Sequence, residues 1–88
     1  MKTSISPGDL VVAKKDFYLY EKEYEYSKSV FIEKNNISLV VAVKIGEDQR
    51  GYLGVVSLCV LCLKSGQIGW VLIYKSYVKN IMSVVAHA

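Results

Sequence analysis

The hydrophobic pattern of the chain is that of β-strands. Residues 10–13, 37–45, 52–63 and 68–74 are apolar blocks rich in β-branched side chains, and polar or glycine-containing stretches separate them. Residues 17–26 alternate with period two, with tyrosines on one side and glutamates on the other, as in extended chain. Residues 79–85 can add a short further strand. Because no window has the spacing of an amphipathic helix, the pattern predicts an all-β fold.

Tight turns are predicted between these blocks. Residues 6–9 (Ser-Pro-Gly-Asp) precede the first strand, and polar stretches at 33–36 and 46–51 separate later ones. Ser65-Gly66 lies between two apolar runs and predicts a hairpin, in which Trp70 anchors a small β core. Strands at this spacing favour a small five- to six-stranded barrel or a two-sheet sandwich. We prefer the barrel because it removes sheet edges.

Length and composition limit the classes of protein to consider. The 88 residues allow a single domain over 1–88, with a core of about residues 9–82. Apolar residues make up 52% and charged residues 22% of the chain, which favours a compact core over disorder. A formal charge of +3 is too small to predict a nucleic-acid or membrane partner by itself.

Catalytic and metal chemistry have little sequence support. Cys59 and Cys62 are three apart in a predicted strand, so their side chains face opposite ways and are expected to be buried free thiols of a reducing compartment. His87 is the only histidine, and no nucleophilic set, carboxylate pair or glycine-rich phosphate loop is present. We therefore predict a non-enzyme with no cofactor and no metal site.

Localisation follows from the apolar runs. The longest, residues 52–63, is well short of the roughly 20 residues that cross a bilayer, and the first residues lack the apolar core of a signal peptide. The expected location is cytoplasmic, in the host cytoplasm for a viral protein, with no membrane partner.

Three stretches, residues 12–17, 64–71 and 77–81, resemble motifs of one known family, the Src homology 3 (SH3) fold with its bacterial and viral relatives. The family's opening V-A-L-Y-D-F strand is similar to residues 12–17, V-A-K-K-D-F. Its distal hairpin and G-W-V strand are similar to residues 64–71, K-S-G-Q-I-G-W-V, and its N-Y-V-x-x-I ending resembles residues 77–81, Y-V-K-N-I. The resemblance covers about 70 residues and implies an SH3-like barrel.

The family's ligand groove carries over only in part. In the eukaryotic branch, aromatic side chains accept polyproline helices. By the resemblance, the groove positions fall on Lys15, Phe17, Leu58 or a neighbour, Leu72 and Tyr77. Of these, only Phe17 and Tyr77 are aromatic where the groove requires it. The resemblance therefore implies the barrel and leaves the ligand open.

The alternating stretch at 18–26 occupies the place of the family's long first loop and is the candidate partner surface. Its tyrosines supply rigid contact area, and its glutamates can pair with basic groups of a partner. The alternative is a solvated hairpin whose tyrosines cover the barrel. The predicted partner-binding residues are Tyr18, Tyr20, Glu21, Glu23, Tyr24, Glu25, Tyr26 and Tyr77.

The run at 52–63 is apolar on both faces, and a small barrel fills its interior with only one of them. We predict that Val56, Leu58, Val60 and Cys62 fill the barrel. Val55, Cys59 and Leu61 would then lie outside it and mediate self-association as a two-fold dimer, unless residues 18–32 cover them.

These observations favour a non-catalytic protein-binding module, as single-domain barrels often are in bacteria and their viruses. One alternative is a nucleic-acid-binding barrel, which needs a basic face with exposed aromatic side chains. Another is a structural component of a virus particle or larger assembly. The residues that could bind nucleic acid are Lys64, Trp70, Tyr74, Lys75, Tyr77 and Lys79.

Overall fold

In the computed structural model, which describes residues 5–21, 29–46 and 54–88, the chain forms a curled, seven-stranded antiparallel sheet that makes a half-barrel. The strands are β1 (Leu10–Ala13), β2 (Phe17–Tyr20), β3 (Ser29–Ile32), β4 (Ile37–Gly46), β5 (Val55–Cys62), β6 (Ile68–Tyr74) and β7 (Met82–Ala86). A 3-10 turn (Lys75–Tyr77) and the single helical turn α1 (Val78–Ile81) precede β7. The spatial order is β3-β2-β6-β5-β4-β1-β7, so the first and last strands are neighbours. The all-β prediction is confirmed.

The expected number of strands, five or six, is too low. Residues 17–20 and 29–32 pair with each other as two antiparallel strands, with Tyr18 opposite Phe31 and Leu19 opposite Val30. The region predicted as a strand from residue 79 instead begins with α1, and β7 starts at Met82. Four residues are one turn, which is too short to leave a helical periodicity in the sequence.

The inner face of the sheet holds one hydrophobic core. Val56, Leu58, Val60 and Cys62 of β5 all belong to it, as the predicted register of that strand requires. Strands β1, β4 and β6 contribute their own alternate side chains, and Leu19 and Ile32 bring the β2–β3 hairpin into the same core. Full burial of each such aliphatic side chain contributes about 1.5–3 kcal/mol, so this face carries most of the stability.

Gly69 is what allows β2 to lie against β6. A Cβ atom at this position would be 2.7 Å from Leu19 Cβ and 3.0 Å from the carbonyl oxygen of Tyr20. Neither atom can move away without moving the β2 backbone, because a Cβ atom is fixed by the main chain. The glycine next to Trp70 therefore provides the space for β2 and holds the hairpin in position.

Asp9 ties the start of β1 to the end of β7. Its buried carboxylate accepts hydrogen bonds from the backbone N–H of Ser6 (2.9 Å) and of Ala88 (2.8 Å), and it lies 3.3 Å from His87 Nδ1. The hydrogen bonds from Ala88 and Ser6, supported by His87, hold the pKa of Asp9 below its usual value against the opposing effect of burial. The ionised carboxylate is thus the form that the fold stabilises.

We expect Asp9 to make the fold acid-sensitive. A depressed folded-state pKa contributes stability that is present above the ordinary value of 3.8 and is lost as the pH falls through the lowered value. Asp9→Asn should therefore lower the Tm at neutral pH and reduce the decline of Tm between about pH 5 and about pH 2. Thermal unfolding followed by circular dichroism measures both effects. Asp16→Asn, at an exposed carboxylate that also accepts a backbone N–H, is the control, and equal pH slopes for Asp9→Asn and wild type would contradict the assignment.

None of the helices in residues 5–21, 29–46 and 54–88 has the length and apolar character that crossing a lipid bilayer requires.

Candidate functional site

An aromatic surface lies on the outer face of the sheet, across β3, β2 and β6. Tyr18 and Tyr20 point away from the core because Leu19, between them, points into it. Phe31 is the cross-strand partner of Tyr18, and their ring centroids are 5.0 Å apart at a tilt of 54°. Tyr20 is the cross-strand partner of Trp70. We call these four residues the aromatic surface.

The two ends of the aromatic surface differ in exposure. Tyr18 and Phe31 are 49% and 47% exposed, whereas Tyr20 and Trp70 are half-buried. Lys44 places its Nζ 5.4 Å from the centroid of the Trp70 ring, within range of a cation–π interaction of about 0.5–1 kcal/mol. Trp70 is therefore already engaged within the chain, and the Tyr18–Phe31 pair is the part that is available to a partner.

Three of the predicted partner-binding residues lie together in the structure. Tyr18 and Tyr20 are on one face of β2, and the exposed Glu21 follows directly. Tyr77 is separate from them, at the end of the 3-10 turn, where it is exposed. The remaining predicted residues, Glu23, Tyr24, Glu25 and Tyr26, lie outside the described residues.

Phe31 is the member of this surface that the sequence reasoning missed. The residue belongs to a short apolar island, Val30-Phe31-Ile32, that looks like ordinary core. The alternation of side chains along a strand was the available signal for its orientation. Val30 and Ile32 pack in the core, so Phe31 between them faces outward. Its pairing with Tyr18 depends on the hairpin register, which no local pattern contains.

Two of the lysines proposed for nucleic-acid binding, Lys64 and Lys75, lie at opposite ends of β6. Lys64 lies in the turn before β6, and Lys75 follows the last residue of β6. The seven residues of that strand separate them by roughly 23 Å. Lys64 also lies 3.8 Å from Glu33 in a solvent-exposed ion pair. Lys64 is thus separate from Lys75 and is paired within the chain.

The three residues predicted for self-association lie on the outer face of β5, opposite to its core face. Val55 and Cys59 are only 3% and 7% exposed, so they offer little surface to a second copy. Leu61 is half-buried and has Leu39 and Ile68 as its cross-strand neighbours. Of the three, Leu61 is the residue that is open to contact.

Cys59 and Cys62 are buried free thiols on opposite faces of β5. Burial raises the pKa of Cys59. Burial acts in the same direction on Cys62, but hydrogen bonds from the Ser65 side chain and from the backbone of Ser65 and Lys64, together with the Lys64 charge, lower its pKa overall. The β5–β6 turn itself is closed by backbone hydrogen bonds: Gly66 N–H donates to the Cys62 carbonyl (2.8 Å), and Cys62 N–H donates to the Gln67 carbonyl (2.8 Å). Within the described ranges, no group of three or more His, Cys, Asp and Glu side chains could hold a metal ion.

Comparisons of the chain with protein-family models, curated proteins and solved structures gave no match. The described residues are therefore the basis for a functional hypothesis. They include an exposed aromatic pair that the pairing of β2 with β3 holds in place, and an exposed carboxylate at Glu21, directly after β2. Such a combination suits the binding of another macromolecule.

Proposed function

We propose that the protein is a non-catalytic protein-binding module of the SH3-like type, an accessory protein of a bacterium or bacterial virus, that binds its partner through the aromatic surface. The positions of the segments that carry the sequence resemblance support this assignment. They fall on β1 and the start of β2, on the β5–β6 hairpin, and on the helical turns before β7. The first and last strands of the described sheet, β1 and β7, are also neighbours.

The observation that carries the proposal is the exposed Tyr18–Phe31 pair. Aromatic side chains present about 150–250 Å² each, and large rigid rings are enriched among the residues that dominate protein interfaces. This pair lies on β2 and β3 at one edge of the described sheet, where an approaching partner is not obstructed by other described strands. The exposed carboxylate of Glu21, directly after β2, favours a partner that also carries basic side chains.

The proposal is tested by a double truncation, Tyr18→Ala with Phe31→Ala. Partners are captured from lysate of the source cells on immobilised wild-type protein, and the affinity of each is then measured by calorimetry with purified material. Loss of two central aromatic contacts should weaken binding by at least about 30-fold, since each such residue commonly contributes 2 kcal/mol or more.

The matched control is Ile45→Ala with Val85→Ala. These side chains are 67% and 53% exposed and lie outside the aromatic surface, so partner binding should be unchanged. Identical partner lists and affinities for wild type and a folded Tyr18→Ala, Phe31→Ala variant would rule out this surface.

A further inference from the structure

A second apolar surface crosses the outer face of β1, β4, β5 and β6. The strand registers align Leu10, Leu39, Leu61 and Ile68 in one row. A second row runs beside it: Val12 is the partner of Ile37, and the N–H of Leu63 donates to the carbonyl of Ile37 (3.1 Å). We call these residues the aliphatic patch: Leu10, Val12, Ile37, Leu39, Leu61, Leu63 and Ile68.

The patch faces away from the core. The residues between its members, such as Val11 between Leu10 and Val12 and Cys62 between Leu61 and Leu63, are core residues, so the pleat directs the patch outward. Ile37, Leu63 and Ile68 are 40%, 52% and 53% exposed, and the other four are partly exposed. Each of these seven residues keeps some accessible surface, although every one is aliphatic. A contiguous apolar patch of this kind on a soluble domain marks an interaction site.

The composition of the patch fits the centre of an interface between identical chains. Homodimer interfaces are more apolar than other protein interfaces, and their buried centres are depleted of charged residues. The seven residues of the patch are all aliphatic and all keep accessible surface. A polar rim is also present beside it, since Leu63 is followed by Lys64, which pairs with Glu33.

We propose that a second copy of this chain covers the aliphatic patch, in a two-fold dimer that packs sheet against sheet. The patch contains no charged residue, so it offers nothing for an oppositely charged partner to match, and two identical copies can meet without like-charge repulsion. Outer faces of two sheets pack about 10 Å apart with interdigitating side chains. Tyr18 and Phe31 lie on the other side of β6 from the patch, so a dimer leaves them available.

The test is Ile68→Glu compared with Ile45→Glu. Both variants replace an exposed isoleucine of the sheet with glutamate, but Ile45 lies at the far end of β4, outside the patch. Sedimentation and light scattering should find a dimer for wild type and Ile45→Glu at tens of micromolar. Ile68→Glu should raise the dissociation constant at least about 100-fold, because a buried interface would then contain an unpaired charge.

Two results would overturn the proposal: a monomeric wild type over the same concentration range, or equal weakening of the dimer by both variants. A monomer would mean that a different partner covers the patch. Circular dichroism checks that each variant folds, and Leu63→Glu carries the same test just beyond the end of β5 if Ile68→Glu does not fold. The Tyr18→Ala, Phe31→Ala variant should remain dimeric, so failure of the dimer and failure of the partner surface are separate outcomes.

Discussion

Leu58→Ala is expected to lower the free energy of unfolding by about 2–5 kcal/mol, the range for removing a buried leucine side chain. Leu58 lies on β5 in the centre of the core and is fully buried. Leu61→Ala, on the same strand but on its outer face, should cost less than about 1 kcal/mol, because a partly exposed side chain leaves no closed cavity. Urea denaturation at low protein concentration, where dimerisation adds little, measures both values.

The matched leucines make this comparison a test of register. A shift of β5 by one residue would exchange its two faces. Equal losses for the two variants, or a larger loss for Leu61→Ala, would therefore contradict the assignment of Val56, Leu58, Val60 and Cys62 to the core.

Gly69→Ala is the second substitution with a large expected effect. The added methyl group would lie 2.7 Å from Leu19 Cβ and would push β2 away from β6, so we expect a loss of about 1–3 kcal/mol, the usual range for overpacking. Because Trp70 is the next residue and faces Tyr20 across the same strand pair, its fluorescence should change in the folded variant as well. Chemical denaturation followed by tryptophan emission gives both quantities.

Gly46→Ala is the control for Gly69→Ala. Both glycines lie in strands, but a Cβ at Gly46 would meet no atom within 4 Å. This substitution should be neutral, or stabilising by about 0.4–1 kcal/mol through a less flexible unfolded chain. Equal destabilisation by the two changes would show that the contact with Leu19 is not what requires the glycine.

Features of the fold that depend on the sequence of a single strand or turn are predictable from the sequence. The period-two pattern of β5 divides its side chains between the two faces of the strand. Once one face is assigned to the core, Leu58 lies in the core and Leu61 lies outside it. Ser65-Gly66 predicts the β5–β6 turn because glycine readily adopts the positive φ that such a turn needs. In the structure, Gly66 has a φ of +74°. Local patterns of this kind need no knowledge of the neighbouring strands.

The candidate surfaces depend on pairings between distant segments, which is why the sequence predicts them only in part. Phe31 joins Tyr18 through the pairing register of β2 with β3, which no local pattern contains, so only Tyr18 and Tyr20 of the aromatic surface were predicted as partner-binding residues. The aliphatic patch combines side chains of four strands, and only Leu61 among them was predicted to mediate self-association. Asp9 likewise appears in the sequence as a turn residue, since its contacts with residues 87 and 88 are long-range.

The adjacency of β1 and β7 also determines when the sheet can be completed during synthesis. β1 ends at Ala13 and β7 begins at Met82. One edge of β1 therefore has no partner strand until about 70 further residues have been translated. At about 5–20 residues per second this takes roughly 4–14 s, far longer than hairpins such as β5–β6 need to form. A nascent chain therefore exposes a strand edge that can pair with other chains until β7 leaves the ribosome.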